Sequence, residues 1–150
     1  MKFYICEHCK NIIVKLNDAG VPVMCCGQPM KELTPGTSDG AYEKHIPAVT
    51  VDGNTVKVQV GEVEHPMMEA HYIQFIVIET SKGYQVKYLK PEEKPVAEFV
   101  MAADEKAVAV YEYCNLHGLW VKEVSISVDN IRFGGQFRKD CPLLFIAVML

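Results

Sequence analysis

Residues 48–60 read AVTVDGNTVKVQV, and this stretch decides the fold class. Val56, Val58 and Val60 alternate with Lys57 and Gln59, the period of two that puts apolar side chains on one face of a strand. Asp52-Gly53-Asn54 lies between this run and the β-rich run before it, which predicts a hairpin. Further along, residues 71–80 and 84–89 are two more β-rich runs joined by Ser81-Lys82-Gly83, and residues 98–102 and 107–114 supply others. No long stretch carries the 3.6-residue period of an amphipathic helix. Short strands with turns at this spacing predict an all-β chain built on an antiparallel sandwich.

The chain ahead of the sandwich is different in kind. Residues 1–34 hold four of the six cysteines and only short apolar runs, too little to fold on a hydrophobic core alone. A metal staple is the physical remedy for such a segment. The punctuator run Thr34-Pro35-Gly36-Thr37-Ser38-Asp39-Gly40 reads as a linker. The expected organisation is a small β metal-binding domain over residues 1–36, a sandwich over 37–128, and an atypical tail over 129–150. Residues 1–131 contain twelve lysines and no arginine, whereas Arg132 and Arg138 fall in the last nineteen, with Phe133, Phe137 and Phe145. The tail therefore reads either as an appendage of foreign origin, such as read-through, or as an ordinary additional strand.

The formal net charge of −4 gives no reason to expect nucleic acid or an anionic membrane as partner. An anionic substrate would need a local positive feature to attract it. The N-terminal residues run straight into charges and cysteines, which is not a secretory signal, and the apolar run at residues 143–150 is too short to span a bilayer. A cytoplasmic protein is expected, and in that reducing compartment closely spaced cysteines read as metal ligands or redox groups.

Cys6-Glu7-His8-Cys9 is a Cys-x2-Cys knuckle, and Cys25-Cys26 follows after fifteen intervening residues. Four thiolates can surround one tetrahedral ion, and the spacing leaves zinc and a single iron both open. Adjacent ligands on an extended chain point to opposite sides, so Cys25 and Cys26 need a tight turn to meet one ion. Gly27 and Pro29 suit that turn. His8 reads as a solvated loop residue, and Cys141 as a free thiol.

Four histidines remain, at His45, His65, His71 and His117, each beside a loop or strand end, and Cys114 stands three residues before His117. If the four imidazoles and the Cys114 thiolate meet, they form a five-ligand site with one open position. Such a set is too rich in nitrogen for calcium or magnesium and has too many ligands for structural zinc. Iron is the natural reading: imidazoles suit the ferrous ion, and an axial thiolate pushes electron density towards whatever binds opposite. Met67, Met68, Tyr113 and Trp120 flank these residues and are expected to shield the site, while Pro47 and Pro66 stiffen its loops.

These residues resemble desulfoferrodoxin, the two-iron form of superoxide reductase. The N-terminal part is similar to desulforedoxin in Cys6-x2-Cys9 and Cys25-Cys26-Gly27. The remainder resembles the superoxide reductase domain in Glu43-Lys44-His45-Ile46-Pro47, Glu64-His65-Pro66-Met67 and Cys114-Asn115-Leu116-His117-Gly118-Leu119-Trp120, so the likeness runs over roughly residues 1–124. The resemblance implies two iron ions, one on Cys6, Cys9, Cys25 and Cys26, the other with His45, His65, His71 and His117 equatorial and Cys114 axial. It implies an immunoglobulin-like sandwich, usually as a homodimer, and one-electron reduction of superoxide to hydrogen peroxide with a rubredoxin-type electron donor. Within it, Lys44 would draw the anion in and organise a proton-donating water, and Glu43 would close the open position.

Two rival readings stand beside this one. A zinc hydrolase is a poor match, since five ligands and a thiolate make a weak water-activating centre. In an electron carrier or structural metal protein, only the four-cysteine site would matter and the histidines would be incidental.

Overall fold

The computed structural model describes residues 1–124; the expectations for residues 129–150, including Cys141, Arg132, Arg138 and the three phenylalanines, lie outside them. Twelve strands and one four-residue helix make up the described chain. Five short strands come first: β1 (Phe3–Ile5), β2 (Ile12–Val14), β3 (Met24–Cys25), β4 (Gln28–Pro29) and β5 (Lys31–Leu33). The helix α1 (Tyr42–His45) leads into β6 (Pro47–Asp52), β7 (Thr55–Val60), β8 (Ile73–Thr80), β9 (Gly83–Tyr88), β10 (Val96–Val100), β11 (Ala107–Cys114) and β12 (Gly118–Glu123).

β6 and β7 form the expected hairpin. Asp52 pairs with Thr55, so the loop is Gly53-Asn54, and Gly53 has a φ of 60°. A positive φ at the first of two loop residues matches the twist of the strands it joins. β7 then buries Val56, Val58 and Val60 while Lys57 faces water. Full burial of each valine contributes roughly 1.5–3 kcal/mol.

Two antiparallel sheets, ordered β10-β7-β6 and β12-β11-β8-β9, face each other across the main core. Val56, Val58, Val60, Ile73, Ile76, Ile78, Phe99 and Val110 fill the space between them. This is the three-plus-four immunoglobulin-like sandwich. The central strands β8 and β11 are apolar on both faces, because their outer face is covered as well.

The cover is the N-terminal sheet, ordered β2-β1-β5. Phe3, with Ile5, Ile12, Val14 and Leu33, packs onto Val77, Ala109, Tyr111, Tyr113 and Leu119 of the four-stranded sheet. Phe3 lies 5.1 Å from the Tyr111 ring and 6.4 Å from that of Phe75. The small domain therefore borrows apolar surface from the sandwich, and a metal staple is not its sole source of order.

Two β-bulges in the β11–β8 pairing set which way side chains point. The register shifts once between Ala107 and Ala109 and again between Tyr113 and Cys114, where Tyr113 opposes Phe75 and Cys114 opposes Ile73. Val110, Glu112 and Cys114 thus share the inner face. Tyr113 points outward and stacks on Phe75 at 5.4 Å, so it does not shield the histidines as its sequence position suggested. The residues read as a linker are also packed: the Gly36 N–H donates to the Leu119 carbonyl at 2.9 Å, and the Ser38 hydroxyl donates to the His117 carbonyl.

Candidate metal centres

The structure gathers Cys6, Cys9, Cys25 and Cys26 at one end of the small domain, one ligand atom from each, all within 4.8 Å of one another. The knuckle closes as the Lys10 N–H donates to the Cys6 carbonyl and the Cys6 N–H to the Asn11 carbonyl, both at 2.9 Å. On the other side, β3 and β4 pair Cys25 with Gln28, so Cys26-Gly27 is a two-residue turn. Both turn residues are left-handed, with φ of 50° and 78°. Gly27 adopts this freely, whereas Cys26 does so at a cost of about 1–2 kcal/mol. This reversal brings neighbouring sulfurs to the same point, with Cys25 and Cys26 Sγ 4.0 Å apart and Cys9 and Cys25 Sγ 3.6 Å apart.

The backbone N–H of Cys9, aided by that of His8, lowers the Cys6 thiol to about 6 against the effect of burial. Hydrogen bonding to the Cys6 and Cys9 sulfurs pushes Cys25 up to about 12, and Cys26 is raised by the same two partners. Cys6 ionises readily while Cys25 and Cys26 resist. Only a cation at the centre lets all four carry charge together. The donor set fits a single thiophilic ion. Cys6 is buried and Cys9 and Cys26 are exposed, so one side of the cluster meets solvent; His8 is exposed as expected.

The second cluster joins His45, His65, His71, Cys114 and His117. His45 ends α1, His65 and His71 flank the loop before β8, Cys114 ends β11, and His117 lies in the tight turn into β12. The imidazoles form a closed cycle. Successive ring centroids lie 4.7 Å (His45–His65), 4.6 Å (His65–His71), 4.8 Å (His71–His117) and 4.8 Å (His117–His45) apart. Each ring stands between 76° and 87° to the next. Cys114 has no exposed surface and reaches the cycle from the core side, its Sγ 3.7 Å from His117 Nδ1.

The hydrogen bonds fix which nitrogen each ring offers. His45 Nδ1–H donates to the Ala41 carbonyl at 2.9 Å, and His65 Nδ1–H to the Pro66 carbonyl at 2.6 Å. That leaves the Nε2 lone pair free on both, and the two Nε2 atoms are 3.2 Å apart. His117 presents Nδ1, 3.0 Å from His45 Nε2. His71 Nε2 is buried with no hydrogen-bond partner among the described residues. Lone pairs facing each other at this range repel unless a cation lies between them. Spacings near 3 Å suit neighbouring donors each about 2.0–2.3 Å from a common ion. The residues fit a metal.

Burial lowers His65 to about 4, helped by the nearby His45, and also holds His45 and His71 below the usual imidazole range. These rings are therefore neutral near pH 7, the form a metal binds. Burial raises the Cys114 thiol while the backbone N–H groups of His117 and Leu116 work the other way. A buried sulfur supplied with amide donors is poised to be a thiolate once a cation offsets its desolvation. Glu43 and Lys44 sit exposed in α1, and the Lys44 charge is felt at His71, which it pushes down.

The flanking residues divide. Trp120 is fully buried and lies flat against His45, with centroids 4.8 Å apart and planes 26° apart, and Pro47 is buried below. Met67 packs on the main core, whereas Met68 is exposed and shields nothing. Sequence reasoning missed Glu112, which is fully buried two residues before Cys114 with neither carboxylate oxygen hydrogen-bonded among the described residues. Burial holds it well above the usual carboxylate range. Its place on an apolar strand beside Cys114 was the available signal.

Comparison with known proteins agrees with this geometry. A family model described as Desulfoferrodoxin matches residues 37–123. The chain is 47% identical over 122 residues to a desulfoferrodoxin of Nitratidesulfovibrio vulgaris, covering 81% of this chain and 95% of that protein. It is 42% identical over 120 residues to a desulfoferrodoxin homolog of Archaeoglobus fulgidus, covering 80% and 94%. Among solved structures, the superoxide reductase from Treponema pallidum superposes with a TM-score of 0.68 at 38% identity, over 81% of this chain and 98% of that one.

Proposed function

The chain belongs to the desulfoferrodoxin family, and from that premise we infer that it is a superoxide reductase, converting superoxide to hydrogen peroxide with one electron and two protons. The observation that carries this reading is the closed cycle of four imidazoles with Cys114 against it from the core side. Two iron ions belong to the protein, one on Cys6, Cys9, Cys25 and Cys26, the other on His45, His65, His71, His117 and Cys114. Iron at the second site supplies the electron.

The remaining work falls to the protein. The Nδ1–H bonds of His45 and His65 to backbone carbonyls hold two rings with Nε2 inward. Cys114, buried and supplied with amide donors, gives a strongly donating sulfur on the face turned to the core. Superoxide is an anion approaching a protein of net charge −4, so its capture needs a local cation. We assign that role to Lys44, whose ammonium would also orient a water that delivers a proton; its effect on His71 supports the placement. Glu43, on the same exposed turn, is assigned to cap the open side between turnovers. The electron returns from an external one-electron protein of the rubredoxin type, and the working form is a cytoplasmic homodimer. We assign the boundary between small domain and sandwich to residues 36 and 37; the left-handed turn at Gly36, with a φ of 68°, supports this division.

The deciding experiment is a stoichiometry. With reductant in excess, the iron-loaded chain should form one peroxide for each superoxide consumed and release no dioxygen. Dioxygen evolution with one peroxide per two superoxides would mean a dismutase and would refute the assignment.

A further inference from the structure

The segment between the two domains touches the histidine site through three residues, Ser38, Gly40 and Ala41. The His117 carbonyl accepts from two donors, the Ser38 hydroxyl and the Trp120 indole Nε1–H, the latter at 3.0 Å. The Ala41 carbonyl accepts from His45 Nδ1. A side chain on Gly40 would put its Cβ 2.7 Å from Trp120 Cζ2 and 3.1 Å from His45 Cε1. Gly40 is not among the glycines with left-handed φ, so it is space and not backbone conformation that calls for glycine here. Trp120 has little room to give way, being fully buried and held between the face of His45 and the Tyr42 ring, which stands at 86° to it with centroids 5.2 Å apart.

We propose that residues 36–41 are a positioning strap for the iron site, in which Ser38 and Gly40 fix the angles of His117 and His45 through the Trp120 indole. Ser38 and Trp120 together pin the His117 carbonyl, which limits rotation of the turn that presents Nδ1. Gly40 lets the indole lie against His45, which blocks that ring from tilting out of the cycle. Neither residue would touch the metal; both act through ligands. The inference rests on the reading of the five-residue cluster as the iron site.

The test compares iron-loaded full chains carrying Gly40→Ala, Ser38→Ala and Ser38→Thr with the parent. Two quantities are followed: the rate of iron loss from the histidine site to excess chelator, and the thiolate-to-iron absorption of the oxidised protein. The four-cysteine site, with its own absorption, is the internal control. Gly40→Ala should lose iron from the histidine site about 10–100-fold faster and shift its absorption, with the four-cysteine spectrum unchanged. Ser38→Ala should move both readouts the same way by less, and Ser38→Thr, which keeps the hydroxyl, should restore them. Parent-like behaviour of Gly40→Ala and Ser38→Ala, or equal loss from both sites, overturns the strap. Should Gly40→Ala fail to fold, the Ser38 pair decides alone, and identity of Ser38→Ala with the parent overturns it. A parent chain that takes up no iron at the histidines sinks the underlying reading and the strap together, whereas a normal parent with unaffected variants sinks only the strap.

Discussion

Glu112 and Cys114 project from the same inner face of β11, two residues apart, and neither has any exposed surface. Burial pushes the carboxyl well above the usual carboxylate range, while the sulfur has backbone N–H groups aimed at it that favour charge. Burial raises both acids, and only the sulfur has hydrogen-bond donors that work against the rise. Cys114→Ser should keep the fold, since the hydroxyl is smaller than the thiol, yet lose the reductase reaction and the thiolate absorption. Full turnover in that variant, measured by peroxide formed per superoxide, would contradict the role given to the sulfur.

Lys44 is exposed, so its contribution should be electrostatic and open to screening. Lys44→Ala is expected to slow capture of superoxide by up to about tenfold and to weaken its dependence on ionic strength. Pulse radiolysis at several salt concentrations reads both. An unchanged rate with an unchanged salt response would remove Lys44 from the steering role.

The four-cysteine site is built from residues 6–26 and shares no ligand with the histidine cycle. Cys9→Ser should loosen the knuckle and lower the stability of the β2-β1-β5 sheet, seen as faster amide exchange there, while much of the catalysis survives. Loss of activity with an intact small domain would overturn this division of labour.

The buried histidines predict a pH window for the metal-free chain. His65 has a folded value of about 4 against 6.5 for a free imidazole, so between these values the unfolded chain binds the extra proton and stability falls as the pH drops. The contribution is complete above about 6.5 and lost as the pH falls through about 4. Urea midpoints measured from pH 7 to 4 should decline, and His65→Asn should flatten the curve. In the iron-loaded chain the same protons compete with the metal, so iron release should begin in that window.

Phe3→Ala should cost about 3–5 kcal/mol, because the ring fills the contact between the N-terminal sheet and the sandwich. Equilibrium denaturation of the metal-free chain checks this, and a loss below about 1 kcal/mol would mean the two layers barely depend on each other.

What the sequence disclosed, and what it hid, follows from how far apart in the chain each relationship acts. The β6–β7 hairpin was legible because alternation and a turn glycine are local signals, as was the need for a reversal at Cys26-Gly27. The two groups of chelating side chains were legible because cysteine and histidine at these spacings have few other uses. The orientation of Tyr113 was not, since it follows from the phase of β11, set by the bulge at Val108, which puts Ala109, Tyr111 and Tyr113 on the outer face, and no turn signal marks that bulge. Ser38 and Gly40 looked like linker punctuation because their partners, His117 and Trp120, lie some eighty residues on. The docking of Phe3 onto Tyr111 was hidden for the same reason.

That docking has an implication for dissection of the protein. Val77, Ala109, Tyr111 and Leu119 are covered by the small domain, so a shortened gene starting at residue 37 would encode a sandwich with a bare greasy flank. Such a product is expected to clump or to recruit a stranger. The front portion of this polypeptide thus acts as a lid over its neighbour's oily side, and the two halves are no longer interchangeable modules.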